Sequence, residues 1–572
     1  MPALLSPFRR AAAAAVVEAL GASASLPVTT PPDAGLGDFA VGCFPLAKAL
    51  REKPAELARR AAAAFRPTEL LVSAEAAGPY VNFKADRGAL YRHLFHGALG
   101  GGLIPRVGDG KTICVDYSSP NIAKQLAYHH IRSTVIGQAL VNIHRALGYR
   151  VVGINHIGDW GTSFGMLLGG CHKWGVPEPL TVSALNELYV RYQTAAKEDP
   201  ALEAEGREWF KKLEEGDPEL RALWQRIRDV SLASFQEVYD LLGVEFDEVR
   251  GEASYEADIP RVVKLLEDQG LTTVSDGALV VDLTAENMPP LILRKADGTT
   301  IYATRDVAAA LHRWETYHFD RSLYVVDRGQ ALHFKQLFTT LKKAGFEWAG
   351  RMEHVPFGLV RLFGKKTSTR KGKVVLLRDV IDEASARVAT LLKETNPDLP
   401  AAEAEAVARD VGVGVIIFAN LVAQREKDVD FELDDVASLH GDAGPYIQYA
   451  HARTASVLRR GGVAGGRAAL ADADPAPLGR DEEWALAKIL CELPDETARA
   501  AETDEPHVLA RYLLDVCAAF SRWYTLGNQD PSLKVLTSDA TVTRARLALT
   551  AATGAVLAQG LAMLGLRAPE SM

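Results

Sequence analysis

The sequence predicts an α/β protein: a core built on a parallel sheet and carrying a helical insertion, a small α+β domain before it, and an all-α domain after it. Three observations predict this. Residues 112–154 read as strand, polar loop, helix and strand with short joints, which is the βαβ unit of a parallel sheet. Strand signals return near residue 278, after a charged helical stretch at about 166–250 that therefore reads as an insertion. From Asp379 to the end the pattern is almost wholly helical, with no strand signal and no internal repeat.

A chain of 572 residues has room for several domains and large cores. With 48% hydrophobic and 24% charged residues it has the composition of an ordinary soluble protein. A net charge of −9 does not announce a nucleic-acid partner, so any such partner has to meet a local basic surface. Cys43, Cys114, Cys171, Cys491 and Cys517 are scattered and form no C-x-x-C. They indicate neither a disulfide framework nor a zinc site, and a reducing cytoplasm is the simplest setting. The apolar run Ala11–Val17 is too short to span a bilayer and is followed by Glu18, so neither a signal peptide nor a membrane helix is expected.

Residues 1–108 read as the small α+β domain. Arg9–Leu20 is an Ala-rich helix. The Pro/Gly-punctuated LPVTTPPDAGLGDFA leads into a second helical pattern at Phe44–Ala64, and Leu70–Val72 and Tyr80–Phe83 are short strands. Gly100, Gly101 and Gly102 mark a flexible junction.

The core domain, 109–378, opens with Ile113, Val115 and Tyr117 in a strand. Ser118-Ser119-Pro120-Asn121 breaks it, because Pro lacks a donor and Ser and Asn bond locally to backbone. Ile131, Val135, Ile136, Leu140, Ile143 and Leu147 then recur at helical spacing, Gly148 is placed to stop the helix, and Tyr149–Ile154 is the next strand. Lys124, His129 and His130 lie where the helix starts, and free N–H groups there favour an anion. In Asn155-His156-Ile157-Gly158-Asp159-Trp160-Gly161 the glycines fit either backbone approaching a ligand or a tight turn with a helix cap. After the insertion and Gly251-Glu252, a helix is expected at Ile259–Leu266, and strands at Ala278–Asp282 and Pro290–Arg294.

Tyr302 and Asp306 stand four apart. They share a face if the next helix begins near Tyr302, and Asp306 is an N-cap if it begins there instead. The strand Leu323–Val326 opens into Asp327-Arg328-Gly329-Gln330-Ala331-Leu332-His333, at the strand end where α/β sheets bind ligands. In Phe363–Lys373 five of eleven residues are cationic, which fits a solvated hairpin or a mobile phosphate clamp. Residues 379–445 read as a helical connector and 446–572 as the final helical domain.

Taken together, DYSSPNIAK (116–124), NHIGDWGTSFG (155–165), the Tyr302-x-x-x-Asp306 spacing, the basic loop at 366–372, GDAGPYIQYAHAR (441–453), the early LGDFA…GPYVNF and the terminal LGLRAPESM resemble the arginyl-tRNA synthetases, of class I. The resemblance covers nearly the whole chain. It implies a Rossmann-type catalytic domain, an N-terminal domain that meets the tRNA D-loop and a helical anticodon-binding domain. It also implies a monomer that uses ATP with Mg2+, L-arginine and tRNA(Arg) and holds no metal of its own. Arginine would be activated as its adenylate and then passed to the tRNA 3′ end.

By the same resemblance Asp306 takes the guanidinium, supported by Tyr302 and Glu252, with a further contact from Gln330, while Asn121 and Asn155 hold the α-amino and carboxylate end. A carboxylate suits this role because it pairs bidentately with the planar guanidinium fork. ATP lies across Lys124, His129, His130, Gly158, Lys366, Ser368 and Lys371, with Lys124, His130, Lys366 and Ser368 as the catalytic set. Asn82, Tyr446, Tyr449 and Arg453 are the tRNA contacts it implies.

The chain departs from that pattern twice. Its second signature is Lys366-Thr367-Ser368-Thr369-Arg370, with Thr369 for the second lysine, a loss that Lys124 covers. Its first signature is Ala127-Tyr128-His129-His130, which keeps only the last histidine and puts His129 where glycine is usual. Two rival readings follow: a catalytically silent paralogue that binds tRNA or arginine, and a nucleotidyltransferase of the same fold that uses no tRNA. The two flanking domains speak against the second.

Overall fold

The structure, a computed structural model, describes residues 5–296, 298–362, 375–432, 441–463 and 466–572. In the N-terminal part, β1 (Val28–Thr29), β2 (Phe39–Gly42), β3 (Leu71–Ala77) and β4 (Tyr80–Ala85) pair antiparallel in the order β1-β2-β4-β3. Helix α1 (Pro7–Leu20) buries Phe8, Ala12 and Val16, one stripe at helical spacing, in the same core as the sheet. The Pro/Gly stretch read as a lead-in thus carries two strands. The helical pattern at Phe44–Ala64 is two helices, α2 (Phe44–Leu50) and α3 (Pro54–Ala64), because Arg51 turns left-handed and Pro54 restarts the chain. The glycines at 100–102 are a helix stop rather than a flexible junction: α4 (Arg87–Gly100) is capped by Asp86 and ends at left-handed Gly101.

The core sheet begins with β5 (Thr112–Asp116) and β6 (Arg150–Asn155), joined by α5 (Ile131–Ala146). Gly137 lets α5 lie close on the strand: a Cβ there would be 2.2 Å from Tyr117 Cβ. Next come the helices α6 (Thr162–Trp174), α7 (Val182–Glu198), α8 (Pro200–Glu214) and α9 (Pro218–Leu242). Thr181, Asp199 and Asp217 cap the last three by accepting from backbone N–H groups, and Pro stands at the first position of α8 and α9. The chain returns through β7 (Glu248–Val249), which pairs parallel with β6.

Helix α10 (Ile259–Asp268) leads to a separate antiparallel sheet of β8 (Thr272–Ser275), β9 (Ala278–Val281) and β10 (Leu291–Arg294), ordered β10-β9-β8. Two of these strands were expected and β8 was not. Helix α11 (Tyr302–Tyr317), β11 (Arg321–Tyr324), α12 (Ala331–Lys343) and β12 (Met352–His354) complete the core. The sheet is wholly parallel, in the order β12-β11-β5-β6-β7. Strand order runs outward in both directions from β5 and β11, so the topological switch point lies between them.

After β13 (Val360–Leu362) come α13 (Leu377–Thr395), α14 (Ala401–Leu421) and β14 (Val429–Phe431). β14 pairs parallel with β13, so the region after Asp379 does hold a strand. The chain ends in α15 (Gly444–Arg460), α16 (Asp481–Leu490), α17 (Leu493–Thr503), α18 (His507–Gln529) and α19 (Ala540–Met563). Among the described residues α19 is long and apolar enough to cross a bilayer, but most of it is buried inside the fold, as in a core helix.

Candidate active site at the switch point

The loop from β5 to α5 is held in an unusual shape. Ser118, Ser119 and Ala123 all have positive φ, at 69°, 48° and 60°, a conformation that L-residues adopt only when their surroundings enforce it. The enforcement is visible. Ser118 N–H donates to Ser133 Oγ at 2.9 Å, and Ser133 Oγ donates to the Val325 carbonyl at 2.7 Å, joining the ends of β5 and β11. Ser119 N–H donates to Asn155 Oδ1 (3.1 Å), Asn155 Nδ2 donates to Tyr239 OH (3.2 Å), and Ala123 N–H donates to Ser231 Oγ (2.9 Å). Asn155 is 1% exposed, and its amide is spent on holding this loop.

Asn121 is exposed and forms a backbone bridge with Gly158. A Cβ on Gly158 would come within 1.9 Å of Asn121 Oδ1, so the glycine makes room for the asparagine. Lys124 is exposed, with Nζ 5.5 Å from the ring centroid of Tyr189 on α7.

At the start of α5, Ala127 is 2% exposed and bridges Leu376, while Tyr128 N–H donates to the Val375 carbonyl. His130 Nδ1 lies 3.0 Å from Ala127 N and 3.1 Å from its carbonyl. An amide N–H can only donate, so the nearer contact makes Nδ1 an acceptor and leaves the proton on Nε2. Burial, then neighbouring His129, push the His130 pKa down to about 4. At neutral pH it is an uncharged Nε2–H donor. His129, also lowered by burial, has its ring 4.1 Å from that of His130. Lys366, Ser368 and Lys371 lie outside the described residues. The segments on either side of them reach this mouth through β13 and through the 375–377 pairing with 126–128.

Across the crevice the helix containing Asp306 begins at Tyr302, so the two share a face and the N-cap alternative falls. Asp306 Oδ2 is 2.7 Å from His333 Nε2, and Asp306 Oδ1 is 3.6 Å from His156 Nε2. Tyr302 is exposed and meets the His333 ring edge-on at 4.9 Å. Glu252 follows Gly251, whose missing side chain leaves space for Asp159: a Cβ would be 2.1 Å from Asp159 Oδ2. Burial first, then the charge of Asp306, push the Glu252 pKa up to about 8, against the pull of Arg305. Gln330 is exposed in the turn after β11, with its N–H on the Asp327 carbonyl. The site thus sets the acidic groups Asp306 and Glu252 opposite a helix start at which His130 offers its Nε2–H.

Several supporting residues were not picked out from sequence. Arg305 is buried and pairs with Glu256 at 2.7 Å, with Glu214 of α8 and Glu252 farther off. Arg313 is buried and donates to Asp116 Oδ2 at 2.6 Å. His156 and His333 lay inside segments read for their glycines and for Gln330, and the only available signal was their place at strand ends.

The expected RNA contacts are distributed unevenly. Tyr446, Tyr449 and Arg453 are half-buried on one face of α15. The Arg453 guanidinium lies over the Tyr449 ring at 4.7 Å and over Tyr524 of α18 at 5.3 Å. Asn82 is 4% exposed in the middle of its sheet, beside the exposed, edge-on pair Phe44 and Tyr80.

Three family models match the chain in sequence order: the arginyl tRNA synthetase N-terminal domain over residues 6–85, the class I (R) tRNA synthetase catalytic domain over 97–433, and the DALR anticodon binding domain over 447–572. The chain is 45% identical to an arginine–tRNA ligase of an Exiguobacterium species over 541 residues, covering 94% of each. It is 42% identical to one from Clostridium botulinum over 552 residues, 95% of this chain and 96% of that one. The solved arginyl-tRNA synthetase of Thermus thermophilus superposes with a TM-score of 0.84 at 28% identity, covering 99% of this chain and 100% of that one. A parallel sheet with its switch point at an acidic pocket, flanked by the two end domains, and full-length relatives at this identity place the chain in the arginyl-tRNA synthetase family.

Proposed function

We propose that this chain ligates L-arginine to the 3′ end of tRNA(Arg), using ATP with its Mg2+. The observation that carries the reading is the Asp306 carboxylate, on the face of α11 that it shares with Tyr302 and 2.7 Å from His333 Nε2, with the Glu252 carboxyl near enough to feel its charge. Two carboxyl groups whose charges oppose each other are stabilised by a bound cation, and a planar guanidinium meets both through its fork.

In the first step an arginine carboxylate oxygen attacks the α-phosphorus of ATP, the bond to the β-phosphate oxygen breaks, and pyrophosphate leaves. In the second a ribose hydroxyl of the terminal nucleotide attacks the arginyl carbonyl, loses its proton, and AMP leaves. Neither step needs a covalent enzyme intermediate, so the protein positions reactants and stabilises charge. Asp306, Glu252 and Tyr302 hold the side chain of arginine with a further contact from Gln330, and Asn121, exposed at the crevice, holds its α-carbon end. Asn155 acts on that end through the Ser119 loop that it anchors. His130 donates Nε2–H to phosphate, with the His129 ring tilted beside it, and Gly158 sets the Asn121 loop against the nucleotide. Lys124, Lys366, Ser368 and Lys371 supply the remaining phosphate contacts.

For the RNA, the layered Tyr449, Arg453 and Tyr524 with Tyr446 offer surfaces on which splayed bases stack. In the N-terminal domain that role falls to Phe44 and Tyr80, with Asn82 buried two residues along the strand from Tyr80. Five buried, unpaired cysteines fit a cytoplasmic setting.

Arginine-dependent ATP–pyrophosphate exchange, with and without tRNA(Arg), tests the reading, and robust exchange is expected. The departures at Ala127 and His129 favour one alternative, a silent paralogue. Arginine binding without exchange under either condition would establish that alternative.

A further inference from the structure

Asp306 alone does not explain how a carboxylate on one turn of a helix presents a fixed fork. The terminal torsion of an aspartate is broad, so an unheld carboxylate rotates through many planes, whereas a bidentate pair needs one plane. The structure holds it from outside the helix. His333, in the first turn of α12, places Nε2 2.7 Å from Asp306 Oδ2. It is 9% exposed, and its ring is fixed by Tyr302 edge-on at 4.9 Å and by Phe334 at 5.3 Å. A buried imidazole packed against two rings is a well-placed donor. It occupies one lone pair of Oδ2, while Oδ1, 3.6 Å from His156 Nε2 and so beyond hydrogen-bonding distance of it, keeps its lone pairs.

Resting on the reading of Asp306 as the guanidinium's partner, we propose that His333 is a positioning residue for arginine specificity: it locks the Asp306 carboxylate in the plane that a guanidinium fork requires. Tyr302 acts partly through it, by packing the ring in place. A planar fork needs that lock and a point charge does not. Losing the lock therefore weakens arginine more than it weakens a lysine-like ammonium competing for the same carboxylate.

The test uses the full chain in the exchange assay with His333→Leu, His333→Gln, Asp306→Asn and the double variant His333→Leu/Asp306→Asn. A hydrogen bond to a charged group sets the scale. His333→Leu is expected to raise the arginine KM roughly tenfold or more, leave the ATP KM unchanged, and narrow the margin between arginine and lysine as competitors. His333→Gln keeps an N–H donor and is expected to recover to within about threefold of the parent. Because His333 acts through Asp306, the double variant should be no worse than Asp306→Asn alone.

Equal losses from His333→Leu and His333→Gln, additive losses in the double variant, or parallel rises in both KM values would overturn the proposal. If Asp306→Asn itself leaves the arginine KM unchanged, the underlying assignment fails. If it raises the KM while His333→Leu does not, only the positioning role fails.

Discussion

At the scale of single residues the pocket's chemistry is set by Glu252. Its carboxyl is pushed up to about 8 by burial and by Asp306, so in the empty site it is protonated through the neutral range. On the proposed assignment a guanidinium seated between the two favours the charged form, so arginine binding below about pH 8 is expected to release a proton. The arginine KM should fall as pH rises toward about 8 and level off above it, while in Glu252→Gln it should be flat across that range. A parallel pH dependence in the variant would exclude Glu252 as the source. Stability moves the opposite way. The folded pKa exceeds the ordinary 4.5, so the fold binds more protons than the unfolded chain between about 4.5 and 8, and this group's contribution is lost as pH rises through that window. Asp306→Ala leaves the cation facing one carboxyl group. It should raise the arginine KM by a factor corresponding to about 3–5 kcal/mol if arginine loses its paired charge in the pocket, as exchange kinetics would show; an unchanged KM would remove Asp306 from the role.

At the scale of elements, the insertion reaches the site through close helix packing. Gly165 of α6 faces Gly206 of α8, and a Cβ on Gly165 would lie 1.9 Å from the Gly206 carbonyl oxygen. Backbone blocks that contact, so Gly165→Ala must push α8 away, with Glu214 at its end beside Arg305. A cost of about 1–3 kcal/mol is expected in urea unfolding, whereas Gly350→Ala, with open space around it, should stay within about 0.5 kcal/mol. Equal midpoints for the two would show that α6 and α8 adjust freely. What the sequence reveals of such elements depends on where their stabilisation lies. The β5–α5–β6 unit was legible because alternation, a polar break and a 3.6-residue stripe are local signals. β8, β12, β13 and β14 have three or four residues each, and β12, β13 and β14 exist through pairing with distant strands, which no window along the chain displays. In the site, Asp306, Glu252 and the helix start could be read from their motifs. Arg132, Arg305 and Arg313 look in sequence like surface charges and are buried because carboxylates or carbonyls from elsewhere meet them.

At the scale of the whole molecule the two end domains clasp each other and the core. Asp38 accepts from Trp484 Nε1 at 2.9 Å and Lys488 Nζ at 3.0 Å, and Arg9 pairs with Glu492 at 2.6 Å, so the N-terminal sheet docks on the C-terminal helices. The C-terminal helices meet the core at Asp504 and Glu505, just past α17. Asp504 pairs with Arg321 at the start of β11 (2.8 Å), and its carbonyl accepts from Arg425 Nε (3.1 Å). Glu505 accepts from Arg425 N–H at 3.1 Å. Arg425 also donates to the Pro356 carbonyl at 2.7 Å, and its own carbonyl receives Arg132 Nη2 at 3.0 Å, two residues beyond His130. The Arg425 guanidinium therefore joins the Asp504 carbonyl of the helical domain to the Pro356 carbonyl of the core, while its backbone carries the contacts to Glu505 and Arg132. Arg425→Leu leaves the Asp504 and Pro356 carbonyls without their donor and Glu505 without its ion pair at 3.6 Å, keeping only the backbone N–H, which should cost about 2–5 kcal/mol in chemical unfolding. A shift of the Arg425 backbone, whose carbonyl holds Arg132, would reach the His130 turn and not the acidic pocket, so kcat for exchange should fall while the arginine KM changes little. Arg425→Lys keeps the charge without the fork and should fall between the two. A destabilised Arg425→Leu protein with an undiminished exchange rate would mean that the junction fastens the domains without setting the geometry of the nucleotide site.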